Sequence, residues 1–160
     1  MRASAMAIYR SIALIWITLL SAGAVSDITS KQEIVQEAKS KASHISSEQL
    51  ANYLSGTESI VLLDVRTEAE YQAGHIKGAQ WFPRGKIEFY IQGLVEDPAA
   101  KIVLYCRSGG RSALSALTMK EMGYTNVVDL DGGFREWVAQ GNTFYNLHGE
   151  HKVVSYQKKE

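Results

Sequence analysis

Tyr105-Cys106-Arg107-Ser108-Gly109-Gly110-Arg111-Ser112 decides how the chain is read, because it joins two hydrophobic patterns and contains the only cysteine. Upstream, Lys101-Ile102-Val103-Leu104-Tyr105 is short, mostly apolar and preceded by Asp97-Pro98, the pattern of a buried strand rather than a helix. Downstream, Leu114, Leu117 and Met122, with Ala113 and Ala116 beside them, recur at helical spacing until Gly123 supplies a C-cap. The thiol therefore sits where a strand ends and a helix begins. At such a junction backbone N–H groups lack intrahelical partners and the helix dipole favours negative charge.

Working outward, Ile60-Val61-Leu62-Leu63-Asp64-Val65 is apolar on both faces and reads as a central strand of a parallel sheet. Asp64 interrupts it near its C-terminal end, where a buried carboxylate needs partners such as Arg66 or nearby N–H groups. That pattern suits a brace for the following loop at least as well as a catalytic carboxylate. Asn126 to Leu130 forms another strand, Asp131-Gly132-Gly133 a turn, and Phe134 to Gln140 a helix with Phe134, Trp137 and Val138 inward. Ser46-Ser47-Glu48-Gln49 has the form of a capping box, opening a helix with Leu50, Ala51 and Leu54 inward and Gly56 at its end.

A second capping box, Ser30-Lys31-Gln32-Glu33, opens a partly exposed helix to about Lys41, to which no function is assigned; His44-Ile45 reads as a brief strand. Thr67 to Tyr71 is a helical turn, and Gly74 to Ala79 a tight loop leading to a short strand near Gln80 to Phe82. His75, between Gly and Ile, reads as a hydrogen-bonded loop brace more than a general base. Arg84 to Leu94 reads as a short helix making apolar contacts through Ile87, Phe89, Tyr90 and Ile91. The tail from Asn142 to Glu160 follows no pattern. Strands alternating with helices at these lengths predict an α/β domain with a mainly parallel sheet, whose ligands bind beyond the carboxyl ends of the strands. Cys106 and Asp64 both lie at such ends.

With 160 residues, two prolines and 46% hydrophobic composition, the chain suits one domain with a substantial core. Its formal net charge is zero, without the basic surplus of a nucleic-acid binder. The first 26 residues contain Arg2 and Arg10 and no acid, which leaves 15 basic against 17 acidic groups beyond them. They also order themselves as a charged n-region, the apolar run Ile12 to Leu20, and the small residues Ser21-Ala22-Gly23-Ala24. That is the form of a secretory signal peptide cleaved near Ala24 to Ser26, and it predicts a periplasmic or secreted protein. The apolar run is shorter than the roughly 20 residues that span a bilayer, so contact with a membrane is expected only through this segment if it stays uncleaved. No cysteine follows it to carry a lipid.

A single cysteine excludes an intramolecular disulfide. Flanked by two arginines, a serine and two glycines, it reads as a reactive thiol rather than a buried apolar one. Arg107 and Arg111 supply cations that favour the thiolate, while Gly109 and Gly110 let successive N–H groups curl into an anion-binding nest. A soft nucleophile beside an oxyanion cradle suits sulfane-sulfur transfer, phosphoryl transfer or arsenate chemistry. Spacing narrows the choice. The phosphotyrosine-phosphatase signature has an arginine after five intervening residues, a position held here by Ser112, with Arg111 one residue early. The shorter loop makes a cradle closer in size to one sulfur atom than to a phosphate.

Taken together, Leu62-Leu63-Asp64-Val65-Arg66, Glu70-Tyr71, Gly74-His75-Ile76-Lys77-Gly78-Ala79, Val103 to Ser112, and Leu130-Asp131-Gly132-Gly133 with Trp137 form a specific combination. The chain resembles a single-domain rhodanese, of the thiosulfate sulfurtransferase family, over roughly residues 45–141. The resemblance implies a mainly parallel central sheet flanked by helices on both faces, preceded by an extension over residues 27–44 and followed by a tail over residues 142–160. It makes Cys106 the persulfide-forming residue and the stretch Arg107, Ser108, Gly109, Gly110 and Arg111 the substrate-binding remainder of a six-residue loop, with Asp64 and Arg66 supporting it. The implied reaction moves a sulfane sulfur from a small anionic donor such as thiosulfate through Cys106 to cyanide, a thiol or a protein acceptor, with no metal or organic cofactor. The loop lacks both the lysine-containing pattern of efficient thiosulfate users and the Cys-Gly-Ser-Gly start of mercaptopyruvate users, which leaves the donor open. A non-catalytic persulfide carrier or protein-interaction module, with the tail as docking surface, is the alternative.

Overall fold

The computed structural model describes residues 28–153, so the signal-peptide reading of residues 1–26 lies outside the described residues. Five parallel strands, β1 (Ser43–Ile45), β2 (Val61–Asp64), β3 (Gln80–Trp81), β4 (Ile102–Tyr105) and β5 (Val127–Leu130), form one sheet in the order β1-β5-β4-β2-β3. Among the described residues the α-helices are α1 (Lys31–Lys41), α2 (Ser47–Ser55), α3 (Glu68–Ala73), α4 (Ile87–Leu94), α5 (Gly110–Glu121) and α6 (Gly133–Ala139). The two capping boxes form as the sequence predicts, at Ser30 with Glu33 and at Ser46 with Gln49, and a third caps α3 through Thr67 and Glu70.

Strand periodicity of two divides the core between the faces of the sheet. Ile102 and Leu104 of β4, with Leu63 and Val65, pack under α1, α4 and α5 alongside Ala38, Ile87, Ile91, Ala113, Ala116 and Met119. Val103 and Tyr105 turn to the opposite face, where Leu50, Ile76, Leu130 and Trp137 cover them. The α/β fold with helices on both faces is therefore as predicted.

The differences are local. β4, not β2, holds the centre; β2 lies one strand from the edge, bordered there by the two residues of β3. In α5 the fully buried face consists of Ser112, Ala113, Ser115, Ala116 and Met119, and Leu114, Leu117 and Met122 are only partly buried. The small residues allow α5 to approach the sheet closely. Leu54 faces outward, and on α4 only Ile87 and Ile91 are buried, while Phe89 and Tyr90 are 78% and 63% exposed. At about 100° of rotation per residue, Phe89 and Tyr90 lie off the face that Ile87 and Ile91 bury. The tail forms an antiparallel hairpin, β6 (Phe144–Asn146) and β7 (Gly149–His151), anchored by paired backbone hydrogen bonds between His75 and Tyr145 and by Phe144 packed edge-on against Phe134.

Candidate active site

The cysteine loop leaves the C-terminal end of the central strand and enters α5 at Gly110. Gly109 makes the turn with φ +91°, a left-handed conformation that strains residues with a side chain. Its N–H donates to Cys106 Sγ at 3.2 Å. The N–H groups of Ser108, Arg111 and Ser112 also favour the sulfur anion, as does the Ser112 hydroxyl. Cys106 is only 2% exposed, and such burial by itself pushes a thiol up. These donors outweigh burial and bring it below its ordinary value.

The turn between β5 and α6 holds the other side of the loop. Phe134 N–H donates to Cys106 O at 2.8 Å and Arg135 N–H to Arg107 O at 3.0 Å. Gly133 permits that approach: a Cβ there would stand 2.5 Å from Cys106 O and 2.9 Å from Ser108 N. Gly133 is thus required by a close backbone contact with the cysteine loop.

On one flank of the loop, Asp64 and Arg66 form a buried pair. Arg66 Nε donates to Asp64 Oδ1 at 2.8 Å, Nη2 donates to Oδ2 at 2.6 Å, and the Arg66 N–H adds a further bond to Oδ1 at 3.0 Å. Arg66 Nη2 also reaches Gly74 O at 2.6 Å, and its guanidinium lies over the Phe134 ring at 4.3 Å. Burial opposes the charge on Arg66, but the Asp64 contacts more than offset it and keep the guanidinium protonated. This is a brace for the loops around the site. His75 is likewise a brace: its ring stacks on Tyr71 at 4.0 Å and its Nδ1 lies 3.0 Å from Tyr71 O.

Arg111 is clamped by Glu70, Nη1 to Oε2 at 2.8 Å and Nη2 to Oε1 at 2.7 Å. Hydrogen bonds from Arg111 hold the Glu70 carboxyl down at about 2, so the pair stays ionised across the neutral range. The guanidinium is fixed in direction yet still faces the Cys106 sulfur. Arg107, by contrast, extends into solvent.

The sequence reading assigns no function to the far flank. Asp129 on β5 and Ser112 at the start of α5 are fully buried, and neither Asp129 oxygen nor Ser112 Oγ completes a hydrogen bond. His44 Nδ1 lies 3.5 Å from Asp129 Oδ2. Lys39 of α1 donates to Ser108 O at 3.1 Å, which places a helix expected to have no functional part against the cysteine loop.

The Rhodanese-like domain family model matches residues 46–140. The chain belongs to the rhodanese-like domain family. It is 36% identical to a sulfurtransferase of Allochromatium vinosum over 61% of this chain and 89% of that one. It is 34% identical to the thiosulfate sulfurtransferase GlpE of Pseudoalteromonas translucida, over 60% of this chain and 89% of that one. Other curated relatives are longer, and the chain spans about half or about a quarter of their length. Among solved structures, a Rhodopseudomonas palustris protein of unknown function, described as a possible tyrosine phosphatase, is similar at TM-score 0.65 and 30% identity. That similarity covers 71% of this chain and 92% of that one. The family assignment and the named relatives support a sulfurtransferase role in general terms.

Of the expected site, Ser108, Gly109 and Arg111 turn backbone N–H groups toward the Cys106 sulfur, Gly110 opens α5, Asp64 and Arg66 brace one flank, and Arg107 is exposed. Glu70, Ser112 and Asp129 enlarge the set. Asp129 carried the signal that singled out Asp64, a carboxylate in an otherwise apolar strand.

Proposed function

We propose that this protein is a sulfurtransferase that takes sulfane sulfur from thiosulfate or a similar anionic donor onto Cys106 and passes it to cyanide or a thiol. The observation that carries this reading is the ring of N–H donors around a nearly inaccessible thiol, in a six-residue loop with a clamped arginine at its end. Ser112 occupies the position of a phosphatase arginine and is buried, so the loop has no guanidinium there to hold a phosphate.

In the first half-reaction the Cys106 thiolate attacks the outer sulfur of thiosulfate. Its S–S bond breaks, sulfite leaves with the bonding pair, and a Cys106 persulfide anion remains. In the second, cyanide attacks the outer persulfide sulfur, thiocyanate leaves, and the thiolate is restored. The loop N–H groups and the N-terminus of α5 stabilise the anionic sulfur in both steps. Arg111 binds the incoming anion. The signal-like order of residues 1–26 supports export as part of this proposal.

The test is turnover against a panel of sulfur donors with cyanide and small thiols as acceptors. Thiocyanate formation from at least one sulfane donor is expected, abolished in Cys106→Ser. Arg111→Ala should raise the donor KM on the order of tenfold with a smaller change in kcat, since ground-state anion binding is what it removes. No turnover with any donor, while a persulfide still forms, would favour the carrier alternative.

A further inference from the structure

Asp129 is a buried carboxylate that the sulfur-transfer steps do not use. Its oxygens face Ser112 from α5, His44 from β1 and Lys39 from α1, with Asp131 two residues along its own chain. A Cβ on Gly109 would lie 3.4 Å from Oδ2, which places the carboxylate directly behind the cysteine loop. A buried carboxylate without a completed hydrogen bond is costly, and so is a buried hydroxyl without one. Both occur here, and Ser112 is among the groups that act on the Asp129 carboxyl.

The Ser112 hydroxyl has one hydrogen to give. Two groups compete for it, the Cys106 sulfur and the Asp129 carboxylate, and the hydroxyl bears on the ionisation of both. When Asp129 is ionised, the hydroxyl turns to the carboxylate. The sulfur then loses a donor. When Asp129 carries a proton, it donates to Ser112 Oγ and the hydroxyl is free to donate to sulfur.

His44 extends the arrangement. Its Nε2 lies 2.7 Å from Lys39 O, an acceptor, so that nitrogen carries the hydrogen and Nδ1 faces Asp129. A proton on Asp129 removes the charge that stands behind the cysteine loop.

We propose that Asp129, coupled to His44, is a positioning residue for the Cys106 sulfur, its protonation deciding whether the single Ser112 hydroxyl hydrogen serves the sulfur or the carboxylate. The thiol proton then has a buried destination: the Cys106 S–H bond breaks toward Ser112 Oγ as the Ser112 hydrogen passes to Asp129. The product is a thiolate that keeps its Ser112 donor. Burial supports the assignment by raising the Asp129 carboxyl to about 6, against the opposing pull of Ser112, His44 and Lys39. His44 and Lys39 precede residues 46–140, which the family model matches.

The inference takes Cys106 as the reacting nucleophile, as the proposed function does, but its readout needs no sulfur donor and separates the two. Cys106 is the only cysteine, so iodoacetamide alkylation followed by intact mass reports its thiolate across about pH 4 to 9. The wild-type profile should show two inflections. Asp129→Asn should show one, with the thiol midpoint lowered by about half a unit or more, which is about threefold more thiolate on the acidic limb. In a Ser112→Ala background the same substitution should lose most of its effect. His44→Gln, which leaves the carboxylate in place, should move the lower inflection to higher pH. A wild-type profile with one inflection, an Asp129→Asn profile unchanged or shifted upward, or an equal Asp129 effect without Ser112 would overturn the proposal. So would an unmoved lower inflection in His44→Gln.

Discussion

Two carboxylates flank the central strand just before the cysteine, Asp64 on β2 beside Tyr105 and Asp129 on β5 beside Leu104. Both are fully buried at the C-terminal ends of parallel strands. Asp64 is saturated: Arg66 meets both of its oxygens. Asp129 has a histidine at 3.5 Å, a nearby lysine and a hydroxyl, and completes no hydrogen bond. The difference separates structural from adjustable charge. A carboxylate locked to a guanidinium keeps one state and fixes the loops around it. One left unpaired in the same sheet can change state, and the sulfur beside it responds.

The sharpest way to break this comparison is to remove one partner on the saturated side. Asp64→Ala leaves Arg66 charged and buried without its acceptor, and should cost about 3–5 kcal/mol in urea unfolding. Replacing both members by apolar residues of similar size, Asp64→Leu with Arg66→Met, should cost less than the single change. If the single change is tolerated within about 1 kcal/mol, the brace reading of Asp64 is wrong.

On the unpaired side the sign reverses. Asp129 is raised in the folded chain from an ordinary 3.8 to about 6, so the folded state holds its proton more tightly than the unfolded state. Its contribution to stability is fully present below about pH 4 and is lost as pH rises through about 6. Asp129→Asn should therefore stabilise the protein at pH above about 7 by up to about 3 kcal/mol, with the gain shrinking toward pH 4. Thermal melts of both chains at the two pH values check this. Destabilisation at neutral pH, or a gain independent of pH, would place Asp129 with Asp64 as a plain structural residue.

What the sequence disclosed and what it concealed divides along the same line. The Asp64–Arg66 contact spans two residues of one chain segment, and the cysteine loop declares itself by composition and by its place between a strand pattern and a helix pattern. Both were legible. The Asp129–His44 contact exists because β1 lies beside β5, and strand order is not written in hydrophobic periodicity. The Glu70–Arg111 clamp joins residues 41 positions apart, and in the sequence Glu70 shows only a helical turn from Thr67 to Tyr71 and a place in the family resemblance. Phe89 and Tyr90 were misread for the opposite reason: a short helix rich in apolar residues does not say which of them faces the core.

Both flanks surround one sulfur, and the proposed reaction loads a second sulfur onto it. Intact mass of the purified protein after exposure to thiosulfate tests it most directly. A gain of about 32 Da, removed by cyanide and absent in Cys106→Ser, is the predicted result. An unchanged mass after thiosulfate and other sulfane donors would contradict the account.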